Sequence, residues 1–98
     1  MGNHNPITEI APHFMTHGNN TVGVSAEKLV DANTLRRSIL IQNLSASYYL
    51  YIGNADVSTS NSVQIAPGDS LALYVQSAIY AVASADTIDC RYLEEYCA

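Results

Sequence analysis

Apolar residues along this chain come in short, crowded runs and not at helical spacing. The densest stretch is residues 36–53, RRSILIQNLSASYYLYIG, where Ile39-Leu40-Ile41 and Tyr48-Tyr49-Leu50-Tyr51-Ile52 flank a small polar break at 43–47. Each run is short, β-branched or aromatic, and bounded by turn formers, which predicts strands. Apolar residues occupy both parities of each run, so both strands are expected to lie inside the protein, covered on each side.

The rest of the chain repeats this grammar. Residues 21–25, TVGVS, predict a short first strand. Residues 26–35 could hold one helical turn around 27–30, but an irregular connection is expected. Residues 53–56 read as a turn and 58–62, STSNS, as an exposed polar loop. A brief strand at 63–66 puts Val63 and Ile65 on one face and Gln64 on the other. Ala66-Pro67-Gly68-Asp69 has the chemistry of a type II turn, with Pro setting φ and Gly taking the positive φ. Residues 70–75 carry Leu71, Leu73 and Val75 on one face, 76–78 turn the chain, and 79–84 return it. After a tight turn at Ala85-Asp86, residues 87–94 alternate most cleanly. Ile88, Cys90 and Tyr92 point one way, and Asp89 and Arg91 the other.

About seven strands at roughly eight-to-twelve-residue spacing, with no convincing helix, predict an all-β fold. The expectation is a single antiparallel β-sandwich, jelly-roll or Ig-like, spanning 21–98, without internal repeat or second domain. Residues 1–20 differ. Pro6 and Pro12 break any helix there, and Ile7, Ile10, Phe14 and Met15 are scattered without a period. We read them as an extended N-terminal arm that packs onto another subunit or a neighbouring protein. The competing reading is a segment lying on its own domain.

Composition narrows the function classes. At 98 residues and 48% hydrophobic the chain is one globular domain. Four Lys and Arg stand against nine Asp and Glu, a net charge of −5 with no basic cluster. Nucleic acid is therefore not an expected partner, because phosphate binding needs cationic side chains. The charged fraction of 13% is low, about half the usual share of roughly 25%. Ser, Asn, Thr and Tyr must supply the surface, or a partner covers part of it. No run approaches the roughly 20 apolar residues of a membrane span, so no membrane partner is expected. Residues 1–5 lack the basic start of a signal peptide and no apolar h-region follows, so a protein made and assembled in a cytosol is expected.

Catalytic constellations are not visible. The sequence has no Gly-rich phosphate loop, no HExxH and no GxSxG. Asp86, Asp89, Glu94 and Glu95 cluster near the end, where a solvated rim explains them better than paired acid–base work. His13 and His17 have the spacing of a helical metal pair, but Pro12 and Gly18 leave no helix to hold it. Cys90 and Cys97 would be about 23 Å apart on an extended strand, beyond the roughly 7 Å of a disulfide, so two reduced thiols are expected. Two thiolates without CxxC do not complete a zinc shell. No catalytic, cofactor or metal residues are assigned, and a non-enzyme is expected.

Tyrosine is over-represented, with seven beside one Phe and no Trp. Tyr joins apolar area to a polar tip and suits surfaces buried on assembly. Tyr49 and Tyr51 share a strand face opposite Leu50 and Ile52, and Tyr74 lies opposite the Leu71-Leu73 row. Three readings stand: rings roofing the sandwich edge, a protein interface, or a sugar-stacking platform.

The order of motifs carries a resemblance. ANxxRRSILIQN (32–43) precedes YLYIG (49–53), the Ser/Thr/Asn loop, IAPGDSLAL (65–73), IYAVAS (79–84) and DTIDCRYLEE (86–95). Over residues 21–95 the chain resembles small β-sandwich proteins of tailed-bacteriophage virions, of the capsid decoration or cement kind. The resemblance implies a virion structural protein on the capsid surface, assembled in the host bacterial cytoplasm. It would bind the major capsid protein and stabilise the shell, and would self-associate as a homotrimer, or as a dimer. Set on the readings above, the arm would dock on the capsid through Ile7, Ile10, Phe14 and Met15. Tyr48, Tyr49, Tyr51 and Tyr74 would form the subunit interface. The rival is a host-attachment or glycan-binding module on tail, fibre or head surface. That rival should tolerate loss of residues 1–20 but not Tyr49→Ala or Tyr51→Ala.

Overall fold

A computed structural model describes residues 13–97 of the chain. Its strands are β1 (His13–Val22), β2 (Glu27–Val30), β3 (Arg36–Asn43), β4 (Leu50–Gly53), β5 (Val63–Ile65), β6 (Ser70–Leu73), β7 (Ile79–Ala83) and β8 (Ile88–Cys97). They form two four-stranded antiparallel sheets, ordered β1-β8-β3-β6 and β2-β7-β4-β5. The described residues contain no helix.

One core joins the sheets. Val22, Ile39, Ile41, Ile88 and Cys90 enter it from the first sheet, and Leu29, Leu50, Ile52, Ile65, Ile79, Ala81 and Ala83 from the second. Period-2 alternation produces this: in β8 the inward set begins Ile88, Cys90, and in β4 it is Leu50 and Ile52.

Several expectations are corrected. β3 is not covered on both sides: Ile39 and Ile41 are buried, whereas Leu40 and Gln42 face out. The strand buried on both parities is β7, where Ala81, Val82 and Ala83 are all inside. The first strand is β1 and not 21–25, and 27–30 form β2, paired with β7, in place of an irregular connection. The arm drawn as 1–20 ends inside β1, because His13 to Asn20 each oppose a residue of β8, from Cys97 to Cys90. Over 13–20 the segment lies on its own domain. An edge strand wetted on both faces needs no apolar period, which is why this one was not visible.

Two turns follow their residues closely. Gly68 has φ 80° and Asp69 N–H donates to Ala66 O at 3.0 Å, closing the type II turn. Asp86 takes φ 55° in the turn before β8, a left-handed conformation that Asp tolerates better than most residues.

β3 is pinned at both ends by buried polar side chains. At its end Asn43, wholly buried, donates from Nδ2 to Tyr48 O and Ile65 O, both at 2.9 Å, and its Oδ1 accepts from Ser45 N–H at 2.9 Å. Since Ile65 belongs to the other sheet, this amide ties the layers together. At its start a β-bulge intervenes: Arg36 opposes Tyr96 and Ser38 opposes Glu95, leaving Arg37 extra. The bulge reverses parity, so Arg36 points inward with Ile39 although three residues apart.

Candidate assembly surface

Inside the bulge, Arg36 gathers one end of the sandwich. Its Nε donates to Glu94 Oε2 at 2.6 Å, Nη1 to Val75 O and Ser77 O at 2.9 Å each, and Nη2 to Asp31 O at 2.6 Å. Glu94 also accepts from Thr16 Oγ1 at 3.1 Å. One guanidinium thus holds β8, the β2–β3 connection and the β6–β7 connection. Glu94 is 6% exposed and does not belong to a solvated rim. It continues the inward row Ile88, Cys90, Tyr92, and that parity was the available signal.

Outside the bulge lies the outer face of the β1-β8-β3-β6 sheet. Cross-strand pairing sets His17 beside Leu93, Leu93 beside Leu40, and Leu40 beside Ala72. The next row carries Met15, Glu95 and Ser38. Met15 is 69% exposed, Tyr74 72%, and Leu93 and Leu40 each a little over 40%. Together they line a shallow open depression of about 650 Å³. Isolated exposed apolar residues mean little, and it is their contiguity on one sheet face that makes this set a candidate surface.

A polar rim closes one side of this depression. His13 Nδ1 lies 2.8 Å from Glu95 Oε2, and Ser38 Oγ donates to Glu95 Oε1 at 3.3 Å. Arg37 Nη1 is 3.4 Å from both His13 Nε2 and Cys97 Sγ. The Cys97 sulfur, by hydrogen bond and then by charge, with Glu95 adding, holds the Arg37 guanidinium above its usual value. Cys90 and Cys97 are both free. Cys90 is fully buried, and that burial, with the Asp89 charge, pushes its thiol up to about 12.

The residues assigned from sequence are dispersed. Ile7 and Ile10 lie outside the described residues. Phe14 and Met15 are neighbours in β1 and both border the depression, with Phe14 also against Tyr96 at a ring-centroid distance of 5.7 Å. Tyr48 packs on the core. Tyr49 is anchored before β4 by its N–H to Ser84 Oγ. Tyr51 lies half-buried on the outer face of the other sheet, opposite buried Val82. Tyr74 follows β6 on the first sheet. The four tyrosines therefore do not share one face. Leu40 and Leu93, which sequence reasoning assigned to no surface, are the centre of the one that forms. No group of three His, Cys, Asp or Glu among the described residues could hold a metal ion.

No family model matches this chain, and no curated protein matches it. Among solved structures it is similar to a chain of the Bacillus endospore appendages, described as a family of disulfide-linked pili. The likeness covers 88% of this chain and 87% of that one, at 12% identity and a TM-score of 0.51. At that identity it speaks for the fold: an all-β protein of two antiparallel sheets.

Proposed function

We propose that this chain is a non-enzymatic structural subunit of a virion, a capsid decoration protein that binds the major capsid protein and stabilises the shell. The strand order β1-β8-β3-β6 over β2-β7-β4-β5 is read as a jelly roll. The observation that carries the reading is the exposed set Met15, Leu40, Leu93 and Tyr74 on one sheet face. Its charge-poor apolar centre and polar rim have the anatomy of a protein interface. Repetition over many capsomers turns such a modest surface into durable attachment, and binding to the closed shell alone stabilises that shell by mass action. The test is co-sedimentation with shells of the cognate major capsid protein. Wild type should pellet with the shells and Leu40→Asp/Leu93→Asp should remain in the supernatant. Failure of wild type to pellet overturns the reading.

A second reading, a pilus-like subunit, is favoured by the likeness to the endospore appendage chain. Of the two cysteines, Cys90 is buried and only Cys97 could cross-link copies. One such thiol per chain links copies in pairs, so a filament would need non-covalent contacts as well. Electron microscopy after oxidation separates the readings: filaments lost on Cys97→Ser support the pilus-like subunit.

A further inference from the structure

We propose that the free edge of β1 pairs antiparallel with β1 of a second copy, fusing two four-stranded sheets into one of eight strands. Four strands lie at sheet edges: β1, β6, β2 and β5. An open edge presents unpaired N–H and C=O groups, and proteins guard such edges by shortness, charge or bulges. Three of the four are guarded. β5 has three residues, β6 has four, and β2 has four with Glu27, Lys28 and a register shift between Lys28 and Val30. Among the described residues β1 has none of these protections. It runs ten residues, HFMTHGNNTV, without Lys, Arg, Asp, Glu or Pro, and pairs with β8 without a break in register.

The same contrast selects the occupant. β1 against β6 of another copy would engage at most the four residues of β6, whereas β1 against β1 uses the whole strand. A second copy carries net charge −5, yet the seam itself holds no acidic residue, so the pairing brings no like carboxylates together. A two-fold axis normal to the sheet keeps each face continuous. Facing residues must then share parity, which places either His17 or Gly18 on the axis with an overlap of about nine residues, roughly 30 Å of strand. The Leu40–Leu93 rows of the two copies would flank the seam on one common outer face, with Met15 of each beside it.

His17 and Asn19 point to that outer face and are exposed, so charges there need not disturb the core. In His17→Glu/Asn19→Glu, identical charges meet in both allowed registers: 17 opposite 17, or 17 opposite 19. The measurement is mass by light scattering and sedimentation on the full chain. Wild type should have the mass of two chains. The Glu pair and the matching Lys pair should each dissociate at least tenfold more readily, with unfolding midpoints equal to that of wild type once all three are diluted to single chains. Mixing the two variants should restore the two-chain mass. A wild type of one or three chains at high concentration overturns the seam, as does a dimer indifferent to both charge pairs. None of these outcomes depends on what the assembled sheet binds, so failed shell binding leaves the seam standing.

Discussion

Arg36 Nε lies 2.6 Å from Glu94 Oε2, with the two side chains 0% and 8% exposed. A buried ion pair is weak support for net stability, but breaking one partner leaves an uncompensated charge. Glu94→Gln keeps the shape and should destabilise the protein by about 3 kcal/mol. Arg36→Met should be at least as damaging, since it also orphans the Asp31, Val75 and Ser77 carbonyls. Urea unfolding measures both, and values near wild type would show the pair to be dispensable.

Asn43 is the neutral counterpart at the other end of β3. Asn43→Ala removes two donors and one acceptor from a dry site and should lose about 2–3 kcal/mol. Asn43→Asp retains the acceptor for Ser45 N–H but places a carboxylate against two carbonyl oxygens, and should unfold at a lower temperature still. A thermal melt in which Asn43→Asp outlasts Asn43→Ala would contradict the assigned amide orientation.

Cys90 gives a pH dependence of known sign. Its folded thiol titrates at about 12, against a reference of 9.0. Below pH 9 both states are protonated and the group contributes no slope. Between 9 and 12 the unfolded chain loses its proton while the folded one keeps it, so stability falls by up to about 1.4 kcal/mol per pH unit. Cys90→Ala should remove that slope from alkaline unfolding curves. A thiol reagent should label Cys97 in the native protein and Cys90 only after unfolding.

Gly18 is required by contact. A Cβ there would stand 2.8 Å from Tyr92 Oη and 2.9 Å from Cζ. Gly18→Ala should therefore destabilise by about 1 kcal/mol, or about 4–8 °C for a domain of this size. Tyr92→Leu should relieve much of that effect in the double variant. Additive losses would show that the ring moves aside unaided.

What could be read from the sequence was whatever the core imposed. The alternation in β8, the turn at Pro67-Gly68 and the Leu71-Leu73 face of β6 are local patterns legible in the sequence, whereas the runs of β3 and β4, apolar at both parities, point to cover on each side that the fold gives only to one. β1 escaped because Val22 alone of its ten residues is buried, which leaves no apolar period to read. Arg36 escaped because its direction depends on a bulge at Arg37, which only the partner strand reveals. Glu94 reads as a surface acid by its charge and as an inward residue by its parity, and the partner that decides between them lies 58 residues away. The outer face was missed for a related reason. Leu40 and Leu93 are distant in sequence and become neighbours only through the β3–β8 register. The tyrosines, conspicuous as a composition, were distributed by the fold to separate tasks.

His13 faces Cys97 at one limit of the longest strand pair among the described residues. Tension applied through these two points would peel β1 from β8 one rung after another, like a zip, whereas traction along opposite ends of the pair would have to break its rungs together. The domain is therefore mechanically anisotropic. A tether through His13 and Cys97 makes a compliant joint, and a stiff strut must take its load along the strands, between opposite ends of the pair.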